Sequence, residues 1–148
     1  MSTAPRAVRP IRVVYAIGLW LGLAVLAIAN AAVREVLVAP IVGEYWGHLT
    51  STVTYITALF VVASRYFGRY TEHSVRELVV IGVLWVVMTV LFEFGFGHYV
   101  MGNTWKALLR DYDLRAGRIW SLVLLALGVA PVLFGHYVKS PTRVDGDQ

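Results

Sequence analysis

The sequence predicts an all-α membrane protein in which four transmembrane helices form a compact bundle. Of its 148 residues, 58% are hydrophobic and 15% are charged, whereas soluble domains average roughly 45–50% and about 25%. The mean hydropathy is +0.67. Four apolar segments approach the roughly 20 residues that a helix needs to cross a bilayer. These segments are 13–33, 45–64, 78–101 and 119–138. We expect a single transmembrane domain over 1–138 and a polar cytoplasmic tail over 139–148.

The first segment also has features of a signal peptide. Three arginines precede it, and Ala29-Asn30-Ala31 imitates a cleavage site. However, the apolar stretch before that site is longer than the usual core of a signal peptide. It also contains Gly18-x-x-x-Gly22, a spacing typical of helix packing in membranes. We therefore predict that this segment is retained as a transmembrane helix.

Two of the loops are predicted to contain structure of their own. The apolar residues 36–43 include Pro40 and Gly43, so we expect a short interfacial or re-entrant piece there. In the loop before the fourth span, apolar residues recur at helical spacing: Trp105, Leu108, Leu109 and Tyr112. The aromatic residues among them are typical of membrane interfaces. The pattern predicts a short interfacial helix immediately before the fourth span.

The distribution of basic residues predicts the orientation. With four spans, both termini and the second loop share one side and hold eight basic residues: Arg6, Arg9, Arg12, Arg65, Arg69, Arg76, Lys139 and Arg143. The first and third loops hold five: Arg34, Lys106, Arg110, Arg115 and Arg118. Because basic residues concentrate on the cytoplasmic side, we expect both termini in the cytoplasm and the chain in the plasma membrane. The net charge of +4 then indicates a surface that faces anionic lipid rather than nucleic acid.

Glu93 is the residue that most clearly marks a candidate site. It interrupts the third apolar segment, where a charged side chain costs about 2.5–3.5 kcal/mol or more unless it has a partner. Arg34 ends the first span and Arg118 begins the fourth at a comparable height, so we expect one of them to pair with Glu93. The candidate buried charge cluster on the outer side comprises Arg34, Glu35, Glu93, Arg110, Asp111 and Arg118. The alternative is that most of these are independent charges at the rim.

The second span has hydroxyl side chains along one face: Thr50, Thr54, Thr57 and Ser64. One interpretation is a polar path for a proton, an ion or a small solute. The other is that the hydroxyls bond carbonyls of their own helix or join neighbouring helices, and we favour it. In the fourth span, Ser121, Gly128 and Gly135 recur every seven residues and predict close helix packing, and Pro131 predicts a kink.

Little in the sequence indicates an enzyme or a cofactor protein. The chain has no cysteine, which excludes disulfides, thiolate nucleophiles and Cys-ligated metals. Ser51 and Ser121 lack the surroundings of an activated nucleophile. We therefore predict no catalytic residue, no cofactor and no metal ligand. His48 and His98 both fall near the outer surface and leave haem or metal binding there as an alternative.

Several short motifs carry a resemblance to a known family: Asn30-x-x-x-Arg34-Glu35, Phe92-Glu93-Phe94-Gly95-Phe96-Gly97, Trp105-x-x-Leu108-Leu109-x-Asp111-Tyr112 and Gly117-Arg118-x-Trp120. The chain resembles small four-helix prokaryotic inner-membrane proteins that are usually described as hypothetical. The likeness covers 13–138. It implies the four-helix topology and marks the same outer charges, and it implies no activity.

These observations predict a non-enzymatic accessory or structural component of the plasma membrane. Its expected partners are the lipid bilayer and either a second copy or another membrane protein. The alternative is a small proton- or ion-linked transporter that uses Glu93, and a second alternative is a membrane enzyme or a haem-binding protein. The state of Glu93 separates the first two, because a structural carboxylate stays ionised whereas a carrier's must titrate.

Overall fold

The computed structural model describes residues 10–69, 73–110, 112–113 and 119–137, and regular structure within these ranges is entirely helical. The α-helices are α1 (Pro10–Val33), α2 (Ala39–Val42), α3 (Glu44–Arg69), α4 (Val75–Gly95), α5 (Trp105–Arg110) and α6 (Ser121–Val132). Within the same ranges, π-helical segments extend three of them: Arg34–Val38 after α1, Phe96–Val100 after α4 and Leu133–Tyr137 after α6. The all-α prediction is confirmed. The predicted tail, 139–148, lies outside the described residues.

In the part of the chain that the structure describes, three helical runs are long and apolar enough to cross a membrane: Arg12–Val42, Glu44–Arg69 and Val75–Val100. These runs identify the chain as a membrane protein. A fourth run, Ser121–Tyr137, is apolar but shorter, so its crossing stays a prediction. The short helix expected before it is present as α5, whereas its place at the membrane surface stays a prediction.

The first helical run differs from the prediction after Arg34. We expected a separate piece over 36–43, whereas the helix continues through Arg34–Val38 into α2. There the Ala39 N–H donates to the Arg34 carbonyl, which makes a wider turn than an α-helix has. Pro40 lies in the first turn of α2, where its missing N–H costs least. Gly43 adopts a φ of 85° and turns the chain into α3.

Two indole hydrogen bonds join α1 to α4 and show that these helices run parallel. The Trp85 N–H donates to the Ala16 carbonyl at 2.9 Å. The Trp20 N–H donates to the Thr89 hydroxyl, also at 2.9 Å. From the first pair to the second, the residue number increases on both helices, which is the pattern of parallel helices. Because a buried indole N–H needs an acceptor, these bonds satisfy both rings and fix the register of the two helices.

The helix α3 runs antiparallel to α1. The Asn30 amide donates to the Ser51 hydroxyl at 2.7 Å, and the Tyr55 hydroxyl donates to the Leu23 carbonyl at 3.2 Å. From the first pair to the second, the residue number decreases on α1 and increases on α3, which is the pattern of antiparallel helices. The bond from Asn30 joins the helices close to the π-helical segment that carries Arg34, which positions that arginine against α3.

Glycines allow α6 to approach α4 closely. A Cβ added at Gly82 would collide with the Gly128 carbonyl, and one added at Gly135 would lie 2.6 Å from a Leu78 methyl group. The prediction that Gly128 and Gly135 are packing positions is therefore confirmed. The pairing also makes α6 antiparallel to α4. The helix passes through Pro131 and continues into Leu133–Tyr137.

The two ends of the molecule differ in packing. The half nearer Glu77 contains fully buried side chains from α3 and α4: Leu59, Ala63, Phe67, Leu78, Ile81 and Trp85. At that end Arg12 Nη1 lies 3.0 Å from the buried Glu77 Oε2. Glu77 also forms a capping box with Ser74 that begins α4. We call this the Glu77 end and the opposite one the Glu93 end.

Candidate functional site

Glu93 lies near the C-terminus of α4 and is held by two side chains from later in the chain. The Trp120 indole N–H donates to Glu93 Oε1 at 2.7 Å, and the Tyr112 hydroxyl donates to Oε2. An ionised carboxylate only accepts hydrogen bonds, and this arrangement supplies a donor to each oxygen. The contacts fasten the residues before α6 to the end of α4.

An aromatic stack continues from Tyr112 towards α5. Phe94 stacks on Tyr112 with ring centroids 5.7 Å apart and on Trp105 at 6.1 Å. Trp105 in turn stacks on His98 at 4.0 Å. Offset stacking adds to the stabilisation from apolar burial. The stack therefore fixes α5 against the end of α4 and orients Tyr112 towards Glu93.

Arg34 forms its contacts on the other side of this end. It pairs with Glu35 at 2.5 Å, and its Nη1 donates to the His48 ring, with Nδ1 at 2.8 Å. Its Nε is buried and has no acceptor among the described residues. His48 accepts this bond through a neutral ring nitrogen. Arg34 therefore connects the π-helical segment to α3 and does not pair with Glu93.

A cavity of about 520 Å³ lies between Glu93 and Arg34, within the roughly 300–1,000 Å³ typical of ligand sites. Its walls are mainly apolar and aromatic. Its charged and polar lining residues include Arg34, Glu44, His48, Thr52, Glu93 and Tyr112. Tyr45 also lines it and is 64% exposed, so the cavity reaches the molecular surface. We call it the larger cavity.

A second cavity, of about 180 Å³, lies among α1, α3, α4 and α6, further from the end of α4. Its lining includes Ile28, which is 50% exposed, so this cavity also reaches the molecular surface. It shares four lining residues with the larger cavity: Ala31, Phe92, Glu93 and Trp120. Glu93 and its hydrogen-bond donor Trp120 therefore border both spaces. We call this the smaller cavity. Beyond it, towards the Glu77 end, lies the closely packed half of the molecule.

The structure brings only part of the predicted charge cluster together. Arg34 and Glu93 line the same cavity, and Glu35 pairs with Arg34. Arg110 is exposed at the end of α5. Two cluster members, Asp111 and Arg118, lie outside the described residues, so a pair between Arg118 and Glu93 stays a prediction.

Sequence reasoning missed three side chains at this site. His48 was considered only as a haem or metal ligand, and Tyr112 only as an interface anchor, while no role was expected for Trp120. Their chemistry could have identified them, because each side chain can form a hydrogen bond with a charged group and each lies in or beside an apolar segment. Their positions depend on the path of the chain after α5, which periodicity does not predict.

The predicted hydroxyl face lies away from the cavities. Thr50, Thr54 and Thr57 are exposed. The hydroxyls of Thr50, Thr57 and Ser64 donate to carbonyls three or four residues earlier in α3. The threonine of this helix that lines the larger cavity is instead Thr52, which is 5% exposed. The placement supports the interpretation that the hydroxyls bond their own helix, and a polar path stays a prediction.

The described residues contain no group of three or more histidine, aspartate or glutamate side chains arranged to hold a metal ion. Helices and cavities together define a helical membrane protein with a partly enclosed site at one end. Comparisons with protein-family models, with curated proteins and with solved structures found no match. The resemblance noted from short motifs therefore stays a prediction.

Proposed function

We propose that this protein is a non-enzymatic accessory or structural component of the plasma membrane, with four spans and both termini in the cytoplasm. Ser121–Tyr137 would supply the fourth crossing. It approaches the roughly 17–25 residues of known spans, and the apolar Ile119 and Trp120 precede it. The predicted orientation places the Glu93 end at the outer surface, where the tally of basic residues is lower.

One observation carries this proposal: the two cavities described above lie towards the Glu93 end, and the described side chains on their Glu77 side are closely packed. A transporter needs a route that opens to each side in turn, with its binding site near the middle of the membrane. Side chains such as Leu59, Ile81 and Trp85 are fully buried and occupy the half through which such a route would pass. A site reached from one side suits a component that holds a ligand or a partner.

The contacts of Glu93 support the same role. A carrier's carboxylate must exchange protons or ions during each cycle. Here each oxygen accepts a hydrogen bond that also fastens Trp120 or Tyr112 to α4. Releasing Glu93 would therefore loosen the outer end of the molecule. This coupling favours a structural carboxylate over one that cycles freely.

Flux measurements test the proposal against the transport alternative. We expect liposomes that contain the wild-type protein and a pH-sensitive dye to show no more proton or cation flux than empty liposomes. Transport through Glu93 predicts the opposite: flux that Glu93→Gln abolishes and that Asp113→Asn, a change at an exposed residue that lines neither cavity, retains. Such a result at equal protein levels would replace our proposal with a transporter.

A further inference from the structure

The smaller cavity offers little to a polar occupant. Its lining includes hydroxyl groups of Tyr55 and Thr89, but the Tyr55 hydroxyl already donates to the Leu23 carbonyl, and Thr89 accepts from Trp20. A buried water needs two to four hydrogen-bond partners, and apolar cavities of about 150 Å³ stay dry and take up apolar molecules. At about 180 Å³, this cavity suits an apolar occupant.

Its lining also includes Glu93, whose oxygens already accept hydrogen bonds from Trp120 and Tyr112. Its other lining residues are small, apolar or aromatic. They include Ala24, Ala27, Ile28, Val123 and Leu127, contributed by α1 and α6. Two alanines side by side on α1 leave the space that larger side chains would fill. Protein interiors rarely contain voids of this size. A ligand with a chain of methylene groups would fill this one.

The larger cavity has the complementary character. Its lining contains Arg34, Glu44 and His48, and it reaches the surface beside Tyr45. A polar head would find both donors and acceptors there and could remain partly hydrated. The two cavities share Ala31, Phe92, Glu93 and Trp120 in their linings, so they adjoin one another.

We propose that the two cavities together bind one amphiphile, with its apolar tail in the smaller cavity and its polar head in the larger. The ligand class is a straight-chain tail joined to a compact polar head. Both a bilayer phospholipid, through one acyl chain, and a free fatty acid have this chemistry. The inference goes beyond the proposed function and rests on it only for placing the cavities at the outer leaflet.

Chain length is the most informative variable. Saturated fatty acids of increasing length are offered to the full-length protein in a polyoxyethylene detergent, and native mass spectrometry measures the one-to-one complex. Each buried methylene should tighten binding about fourfold. The gain should stop once the tail fills the smaller cavity. Binding that keeps rising with length, as partition into micelles does, would overturn the proposal, as would the absence of binding both of any acid and of diacyl phosphatidylethanolamine.

A matched pair of variants locates the tail. Ala27 lines the smaller cavity, whereas Ala29 is exposed on the same helix. Ala27→Phe should fill the space and remove the dependence on chain length, reducing the affinity of the best acid at least tenfold. Ala29→Phe should bind as the wild type does. Equal binding by both variants would overturn the proposal. If Ala27→Phe fails to fold, Ala24→Leu and Ala27→Leu narrow the same space with smaller side chains.

Two further arms distinguish the source of the ligand. Diacyl phosphatidylethanolamine retained as a one-to-one complex, and lost in Ala27→Phe, identifies a bilayer lipid. Retention of fatty acids alone identifies a free amphiphile. The result is independent of the flux experiment: measured flux would overturn the accessory role and leave binding in place, whereas absent binding would overturn this inference alone.

Discussion

At the scale of single residues, Glu93 gains its surroundings from residues 19 and 27 positions further along the chain. Because these donors lie far from Glu93 in the sequence, their hydrogen bonds join α4 to other parts of the chain, which contacts within α4 alone would not do. The same residue lines both cavities, so its hydrogen bonds affect both the stability of the Glu93 end and the shape of the candidate site.

Removing one of these donors should destabilise the protein measurably. Trp120→Phe keeps an aromatic ring but deletes the N–H that donates to Glu93. A hydrogen bond to a charged group contributes about 1.5–3 kcal/mol, and the free energy of unfolding should fall by about that amount. Unfolding in mixed micelles measures it. Trp46→Phe, which makes the same change at a residue that is 58% exposed, is the control.

A double-mutant cycle tests the hydrogen bond between Trp120 and Glu93 directly. When Glu93→Gln is already present, adding Trp120→Phe should cost less than it does in the wild type, because the two residues form one interaction. Strictly additive effects would contradict the contact. An effect of Trp120→Phe no larger than that of Trp46→Phe would do the same.

At the scale of helices, the Glu77 end joins the start of α1 to the start of α4. Arg12 pairs with Glu77, and His73 lies next to both, with its two ring nitrogens buried and lacking hydrogen-bond partners among the described residues. Burial lowers the pKa of His73 below its usual 6.5, Arg12 lowers it further, and Glu77 opposes the shift. The folded protein therefore favours the neutral ring.

This arrangement predicts a stability that falls in acid. Below pH 6.5 the unfolded chain binds a proton at His73 that the folded protein still refuses, so stability decreases as the pH falls towards the lowered pKa. The stability that the neutral His73 provides is fully present above pH 6.5. Thermal melts of the solubilised protein should show this loss, and His73→Gln should remove it. The control His136→Gln, at an exposed position, should retain it, and equal losses in the wild type and His73→Gln would contradict the prediction.

The helices also show how much of the secondary structure can be predicted from the pattern of apolar residues. Long apolar segments predicted the helices well, because burial in lipid requires every backbone group to bond within its own segment. The wider turn at Arg34–Val38 was not predictable from hydropathy, since it depends on how the backbone accommodates Pro40. Small residues in the fourth span correctly indicated close packing, and Gly82, their counterpart on α4, was not anticipated.

At the scale of the whole molecule, the chemistry of Glu93 was predictable and its geometry was not. The energetic cost of an acid in an apolar helix pointed to the right residue. Tyr112 and Trp120 donate hydrogen bonds to it from positions after α5 and before α6, and these contacts exist only once the chain has folded. The cavities follow from the mutual placement of four helices, which no single segment encodes.

The number of membrane crossings is the remaining property at this scale, and it determines on which side each terminus lies. Ser121–Tyr137 is shorter than the three long helical runs, yet it packs along α4 through Gly82 and Gly128. A helix packed antiparallel along a membrane-spanning neighbour should cross beside it. Reporter fusions after Ser74 and after Val144 should therefore both report the cytoplasm, and fusions at Gly43 and Ala116 the outside. If only three helices cross, the fusion after Val144 reports the outside while that after Ser74 stays cytoplasmic. That single site thus decides between three spans and four.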